Sequence, residues 1–266
     1  MNLILCADDF GQSEAIDQAI IALINKGRLS ATSCMTLSPR WVEAAKKLTP
    51  NIRKNAAIGL HLDFTHFGDA ISHPKLVLLS LAQQLPTARI QQNINQQLDA
   101  FEATMGTKPD YVDGHQHVHQ LPQIREALLE ILVARYGKNL PWLRIAKPPT
   151  SDGIKGLIIK ALGSSALERN AKALGFVCSG NLLGAYGFNG SSEEYLTRFK
   201  GWLKEVKTDE ATPVLMCHPA VEMPTNEDDV IYQARVREFT VLASNELTAE
   251  LKDFSLVTNP RTNFKR

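Results

Sequence analysis

The spacing of apolar positions along the chain switches repeatedly between a strand period and a helix period. Residues 2–8 form a short apolar run, the pattern of a buried strand. Ser13 then offers an N-cap, and Ile16, Ala19, Ile20, Leu23 and Ile24 fall on one side of a helix that Gly27 stops. The alternation continues with a strand at 31–37, a helix at about 41–48 and a strand at 56–64. Residues 65–85 have no clean period and predict a long loop that covers a site. A helix at roughly 90–105 leads to a fourth strand ending at Asp113. After Pro122, the positions Ile124, Leu128, Ile131 and Leu132 begin a helix to Tyr136, with Gly137 behind it. A fifth strand at 142–146 is closed off by Pro148-Pro149.

Residues 154–174 predict a helix broken near Gly163-Ser164-Ser165, and residues 175–183 a strand. A loop from Gly184 to Gly190 precedes Ser191 and Glu194, which make a capping box for a helix to Val206. A strand at 213–217 ends at His218-Pro219. The polar loop 225–229 leads to a helix through about Ala243, and residues 254–258 are a last strand. Seven or eight strands alternating with helices, without repeat or linker, predict an α/β chain: one TIM-like, deformed (β/α) barrel domain over residues 1–266.

Composition narrows the function classes. The 266 residues are 44% hydrophobic and 21% charged, enough for a large core. With 29 basic against 28 acidic residues and no run of either sign, the chain has no signature of nucleic-acid or anionic-membrane binding. No apolar run reaches membrane-spanning length, and the N-terminus lacks the basic region of a signal peptide. Cys6, Cys34, Cys178 and Cys217 each lie in an apolar, strand-like run, so the expectation is reduced, buried thiols in a cytoplasmic protein. A homodimer is allowed and not required.

Polar groups collect where strands end. The stretch Asp113-Gly114-His115-Gln116-His117-Val118-His119 holds three of the seven histidines, at a strand-to-helix handover, the edge that carries chemistry in parallel α/β folds. Imidazole is a common metal ligand, although His-rich turns also occur as solvated loops. Asp8-Asp9, His61 and His218 fall at the same place in their own units, and a barrel brings such ends together. Adjacent carboxylates make poor core residues because each buried charge needs a partner. The plain alternatives are that Asp9 only caps the turn at Phe10-Gly11 and that His61 is a satisfied core histidine.

Ala7-Asp8-Asp9-Phe10-Gly11, Gly59-Leu60-His61-Leu62, Asp113-Gly114-His115-Gln116-His117 and Met216-Cys217-His218-Pro219, in this order, resemble the YdjC-type carbohydrate deacetylases, which include chitooligosaccharide deacetylases and hopanoid-biosynthesis-associated relatives. The resemblance implies a deformed barrel similar to polysaccharide deacetylases, one divalent metal, and hydrolytic removal of acetyl groups from N-acetylated sugars by an activated water. Carried over, it makes Asp8 the base, Asp9, His61 and His115 the metal ligands, and His218 the acid for the leaving amine. Arg144 resembles an arginine that steadies the catalytic aspartate, in a motif that departs from the pattern. Arg144, His117, Tyr186 and Phe188 are also expected near substrate, with Trp41, Phe64 and Phe67 as further aromatic candidates for a sugar platform. Neither His117 nor His119 has a secure role by this analogy.

The residue types suit that chemistry independently: one carboxylate and two imidazoles suit zinc, and also cobalt, nickel, manganese or magnesium. Amide hydrolysis needs a base, an oxyanion site and an acid. Two other readings stand beside it: a metal phosphoesterase or amidohydrolase using His115 and His117 as its pair, and a non-catalytic sugar- or metal-binding barrel.

Overall fold

The computed structural model of the chain describes residues 1–149, 153–207, 211–223 and 229–260, with the side chains of 153–156 left aside. Its framework is a curled parallel sheet in the order β5-β4-β3-β2-β1-β7-β6, built from β1 (Asn2–Phe10), β2 (Ala31–Cys34), β3 (Ala57–Leu62), β4 (Tyr111–Gly114), β5 (Trp142–Leu143), β6 (Leu182–Leu183) and β7 (Val214–Cys217). β8 (Ser255–Leu256) pairs only with Asn2 and Leu3 at the start of β1. A single bridge from Leu143 to Cys178 joins β5 to the segment before β6 and closes the ring. This is the expected deformed (β/α) barrel, with one side thinly stitched.

Strand periodicity sorts the side chains into two layers. Leu3, Leu5 and Ala7 of β1, with Ile58, Leu60 and Leu62 of β3, join the cluster packed under the helices. Ile4, Cys6, Ala57, Tyr111, Trp142, Val214 and Met216 fill the barrel interior. Gly59 is required here because a Cβ would lie 2.4 Å from the Tyr111 ring. Continuing the inward set one step along each strand reaches Asp8, Ser33, His61, Asp113, Arg144 and His218, all at the C-terminal mouth.

The helices follow the signals read in the sequence. α1 (Glu14–Asn25) is capped by Ser13, whose side chain accepts from Ile16 N. Later, α9 (Ser192–Lys204) carries the full Ser191–Glu194 capping box. Between them lie α2 (Trp41–Ala45), α3 (Pro50–Asn55), α4 (His73–Leu81), α5 (Thr87–Met105), α6 (Ile124–Tyr136), α7 (Gly153–Ala161) and α8 (Ser164–Ala173). The chain closes with α10 (Tyr232–Ala243) and α11 (Asn245–Glu250). The break near Gly163 is there, with φ of 122° at the glycine.

Several expectations need correcting. Residues 65–85 are not all loop: α4 lies within them, with Pro74 in its first turn, where a proline costs no hydrogen bond. It buries only Leu76 and Ser80, so it carries no strong helical stripe. The strand expected at 175–183 shrinks to Leu182–Leu183, because Cys178 pairs with β5 while Gly180 N already bonds Thr212 O beside β7. A segment crossing between two neighbours cannot run as one strand. β5 is likewise shorter than residues 142–146, and the helices α3 and α11 were not foreseen. The polar loop at 225–229 lies outside the described residues except for Asp229.

Candidate metal and catalytic centre

One inserted residue separates the twin aspartates. Asp8 points inward with Ile4 and Cys6, and its Oδ1 lies 3.5 Å from Cys6 Sγ. Asp9 should then point outward, but it adopts φ of 71° and the register with β2 slips between Ala7 and Phe10. Phe10 accordingly packs with the outward cluster, where an even-numbered residue of an unbroken strand would not be. The bulge turns the Asp9 carboxylate into the mouth. The turn that follows is held by Asp17, which accepts from Gly11 N at 2.7 Å, so Asp9 is not needed as its cap.

Asp9 Oδ1 lies 3.3 Å from His61 Nε2 and 3.0 Å from His115 Nδ1. These three residues offer ligand atoms within 4.8 Å of one another. His61 is oriented from behind: its Nδ1 lies 2.7 Å from Asp113 Oδ1 and 3.1 Å from Ser33 Oγ. A carboxylate accepting from Nδ1 fixes the tautomer that leaves Nε2 as the ligand atom. Burial works against a charged His61, yet Asp113 foremost, and Asp8, raise it to about 10. The negative field that retains a proton there suits a divalent cation, and the donor set of one carboxylate and two imidazoles fits one.

Each aspartate has its own arginine. Arg144, wholly buried, donates to Asp8 through Nη1 at 2.6 Å and Nη2 at 2.9 Å, and its Nη1 is 2.9 Å from Asp113 Oδ2. Burial alone raises the Asp8 carboxyl, but Arg144 holds it well below the usual carboxylate range. Cys6, Asp8 and Asp113 also converge, and the guanidinium already supplies the cation there. On the other side, Arg235 of α10 places Nη2 2.8 Å from Asp9 Oδ2 and Nε 2.5 Å from Asp229 Oδ2. Burial opposes ionisation of Asp9 as well, and Arg235 with His115 outweighs it.

His218 Nε2 is 3.8 Å from Asp8 Oδ2. Its backbone N–H donates to Glu238 Oε2 at 2.6 Å, and Tyr186 Oη donates to Glu238 Oε1 at 2.7 Å. Burial lowers the His218 imidazole, with Asp8 and Glu238 opposing. Phe188 packs edge-on to His218 with ring centroids 5.2 Å apart.

A cavity of about 740 Å³ opens over this centre. Asp8, Asp9, His61, His115, His117, Phe188 and His218 line it, as do Arg235, His66 and His73 among its other polar residues. Arg144 does not line it; the guanidinium is a buried partner of Asp8. Tyr186 is 8% exposed and turned to Glu238, so of the two loop aromatics Phe188 faces the cavity. Trp41 and Phe64 are core, Trp41 stacked on Phe101 at 5.9 Å, and Phe67 rests on His66. His119 is structural, its Nε2 2.8 Å from Arg144 O. A second cavity of about 300 Å³, lined by Arg53, Lys108, Asp110 and Trp142, contains none of these groups.

Asp113, Ser33, Arg235 and Glu238 received no role from the sequence. Asp113 and Ser33 were within reach by counting inward positions two at a time along their strands. Arg235 and Glu238 sit on the buried side of α10 with Ala234, Val241 and Leu242, and two charges on an otherwise apolar helix face are a signal for partners.

Residues 2–253 match the family model described as YdjC-like protein. The chain belongs to the YdjC-like family. A carbohydrate deacetylase of Mus musculus is 27% identical to this YdjC-like chain over 197 residues, 67% of the chain but only 57% of the mouse protein, so the chain spans little more than half of that relative. A carbohydrate deacetylase of Geobacillus stearothermophilus is 24% identical over 262 residues, covering 94% of the chain and 92% of the relative. Among solved structures, a protein of Enterococcus faecalis provisionally described as a cellobiose-phosphate cleavage protein superposes with a TM-score of 0.67 at 20% identity, over 97% of both chains. At that identity the likeness speaks for the fold of the YdjC-like chain alone.

Proposed function

We propose that the chain is a metal-dependent hydrolase that removes the acetyl group from an N-acetylated sugar. The observation that carries this reading is the convergence of Asp9, His61 and His115 beside the Asp8–Arg144 pair in one cavity. The deacetylase names of the mouse and Geobacillus relatives agree with it. Asp9, His61 and His115 would hold one divalent ion, for which zinc is the first choice and magnesium, cobalt, nickel or manganese are alternatives. When bound, the ion would supply the Lewis acid that polarises the acetyl carbonyl and makes water acidic enough to yield its proton to so weak a base as Asp8.

The remaining steps belong to the protein's own side chains. Asp8, kept ionised and aimed by Arg144, receives the proton of the attacking water. His218, 3.8 Å from Asp8 and braced by Glu238 through its backbone, takes up the proton that Asp8 received from the water and passes it to the departing amine, which returns Asp8 to its ionised form. Phe188 offers an apolar face for the pyranose ring. His117 stands in the wall as a hydrogen-bonding group for substrate. The four buried free thiols fit a reducing compartment such as the cytoplasm, and no helix of the described residues is long and apolar enough to cross a membrane.

The test is acetate release from N-acetylglucosamine and N-acetylated chitooligosaccharides, with and without a chelator. Release that stops on chelation and returns with added metal is the expected result. Hydrolysis of a phosphomonoester with none of the acetylated sugars would overturn the reading.

A further inference from the structure

The loop that brings Phe188 to the cavity places backbone strain on a residue that bears it poorly. Gly184 and Gly190, at the ends of the loop, hold φ of 93° and 96°, which costs glycine nothing. Phe188 between them holds φ of 60°, a left-handed conformation in which Cβ crowds the backbone and which aromatic residues rarely take. Gly187 precedes it and Asn189 follows it, and either would adopt that conformation more readily. The chain nevertheless gives it to the aromatic. The result is a half-buried ring that lines the cavity, 5.0 Å from the Tyr186 ring and edge-on to His218. Strain of this kind persists only where the surroundings over-determine it, and it gathers at ligand clamps.

Two arginines supply that restraint. Arg237 of α10 donates from Nη2 to the Phe188 carbonyl at 2.8 Å. Arg198 of α9 donates from Nη1 to the Asn189 carbonyl at 3.0 Å and to Asn189 Oδ1 at 3.2 Å, and its guanidinium lies over the Tyr186 ring, 5.2 Å from the centroid. Arg198 therefore steadies the flank of the loop, while Arg237 acts at the strained residue itself. Holding that carbonyl fixes ψ of Phe188 and with it the direction of the ring. α10 already supports Asp9 through Arg235 and His218 through Glu238, so the aromatic wall is tied to the same helix as the centre it faces. An aromatic ring suits the apolar face of a pyranose. We propose that Arg237 is a positioning residue for sugar binding, acting through the Phe188 carbonyl to hold the ring as one wall of the subsite for the acetamide-bearing pyranose. That the occupant is such a sugar rests on the deacetylase reading, whereas the restraint of the ring rests on the loop alone.

The test is a double-variant cycle, read as the dissociation constant of the full-length, metal-loaded chain for methyl N-acetyl-β-glucosaminide. Asp8→Asn serves as the background so that turnover does not intervene. Phe188→Ala removes the wall and should weaken binding about tenfold. Arg237→Met should weaken it about fivefold, the size of one net hydrogen bond. Arg237→Lys should recover most of that loss, since a carbonyl needs only one donor. Added to Phe188→Ala, Arg237→Met should cost nothing further, because its effect passes through the ring. The strain is read separately: Phe188→Gly should melt about 2–4 °C above Phe188→Ala, since glycine escapes the left-handed penalty. A further loss of about fivefold in the double variant would overturn the proposal, as would equal melting of the glycine and alanine proteins or no sugar binding at all. So would a lower melting temperature for Arg237→Met with an unchanged dissociation constant, since that marks a purely structural role. A protein that follows the cycle but releases no acetate when Asp8 is intact would contradict the deacetylase reading and leave the role of Arg237 standing.

Discussion

Asp8 and Asp9 are chemically identical and adjacent, and what separates them is a backbone event of one residue. An unbroken β1 would send Asp9 under the helices; the inserted residue at φ 71° turns it to His61 and His115 instead. The pairing of these two acids with His61, His115 and His218 was legible because all five sit at strand ends. The bulge was not, since a one-residue slip leaves no mark in composition or period. Arg144 shows the same limit: its sequence suggested either a substrate contact or a support for the aspartate, and only its burial decides that it touches Asp8. Arg144→Met should leave Asp8 as an uncompensated buried charge and Asp113 with His61 alone, and cost about 3–5 kcal/mol of stability. Arg144→Lys should recover only part, because an ammonium cannot make the two-pronged contact. Denaturant unfolding of both variants measures this, and equal stability of all three proteins would contradict the assignment.

At the scale of elements, strongly periodic helices were read with their caps, and the weakly periodic region after β3 was misread. Its order comes from a side-chain device that period cannot reveal. Asp63 accepts from the backbone N–H groups of Thr65, His66, Phe67 and Gly68, at 2.7, 2.9, 2.5 and 3.1 Å. This fixes the turn that carries His66 to the cavity. Burial raises the Asp63 carboxyl, but these N–H groups and His115 together bring it below the ordinary aspartate value. A carboxyl whose native value lies below its unfolded value of about 4 adds stability at neutral pH and gives it up as pH falls from there through the native value. Asp63→Asn should therefore be less stable than the parent at pH 7, with the difference shrinking as the solution is acidified below about pH 4. Acid-unfolding curves of the two proteins check this; a difference independent of pH would show that the charge is not what holds the turn.

For the whole molecule, the barrel gathers into one mouth residues that are more than two hundred positions apart, from Asp8 to His218 and Arg235. Alternation of strands and helices was enough to foresee that gathering. The cavity's shape was not foreseeable, because it depends on the thin closure between β5 and β6 and on where α4 and α7 come to rest over the mouth. The division of labour within that mouth can be read directly by elemental analysis of two purified variants alongside their rates of acetate release. Asp8→Asn should retain its divalent ion at the parent's stoichiometry while losing roughly a hundred- to ten-thousand-fold in rate, the span for removing a general base. Asp9→Asn should come out depleted of metal. A metal-free Asp8→Asn beside a loaded Asp9→Asn would reverse the two roles, and full activity in both would contradict the proposed centre altogether.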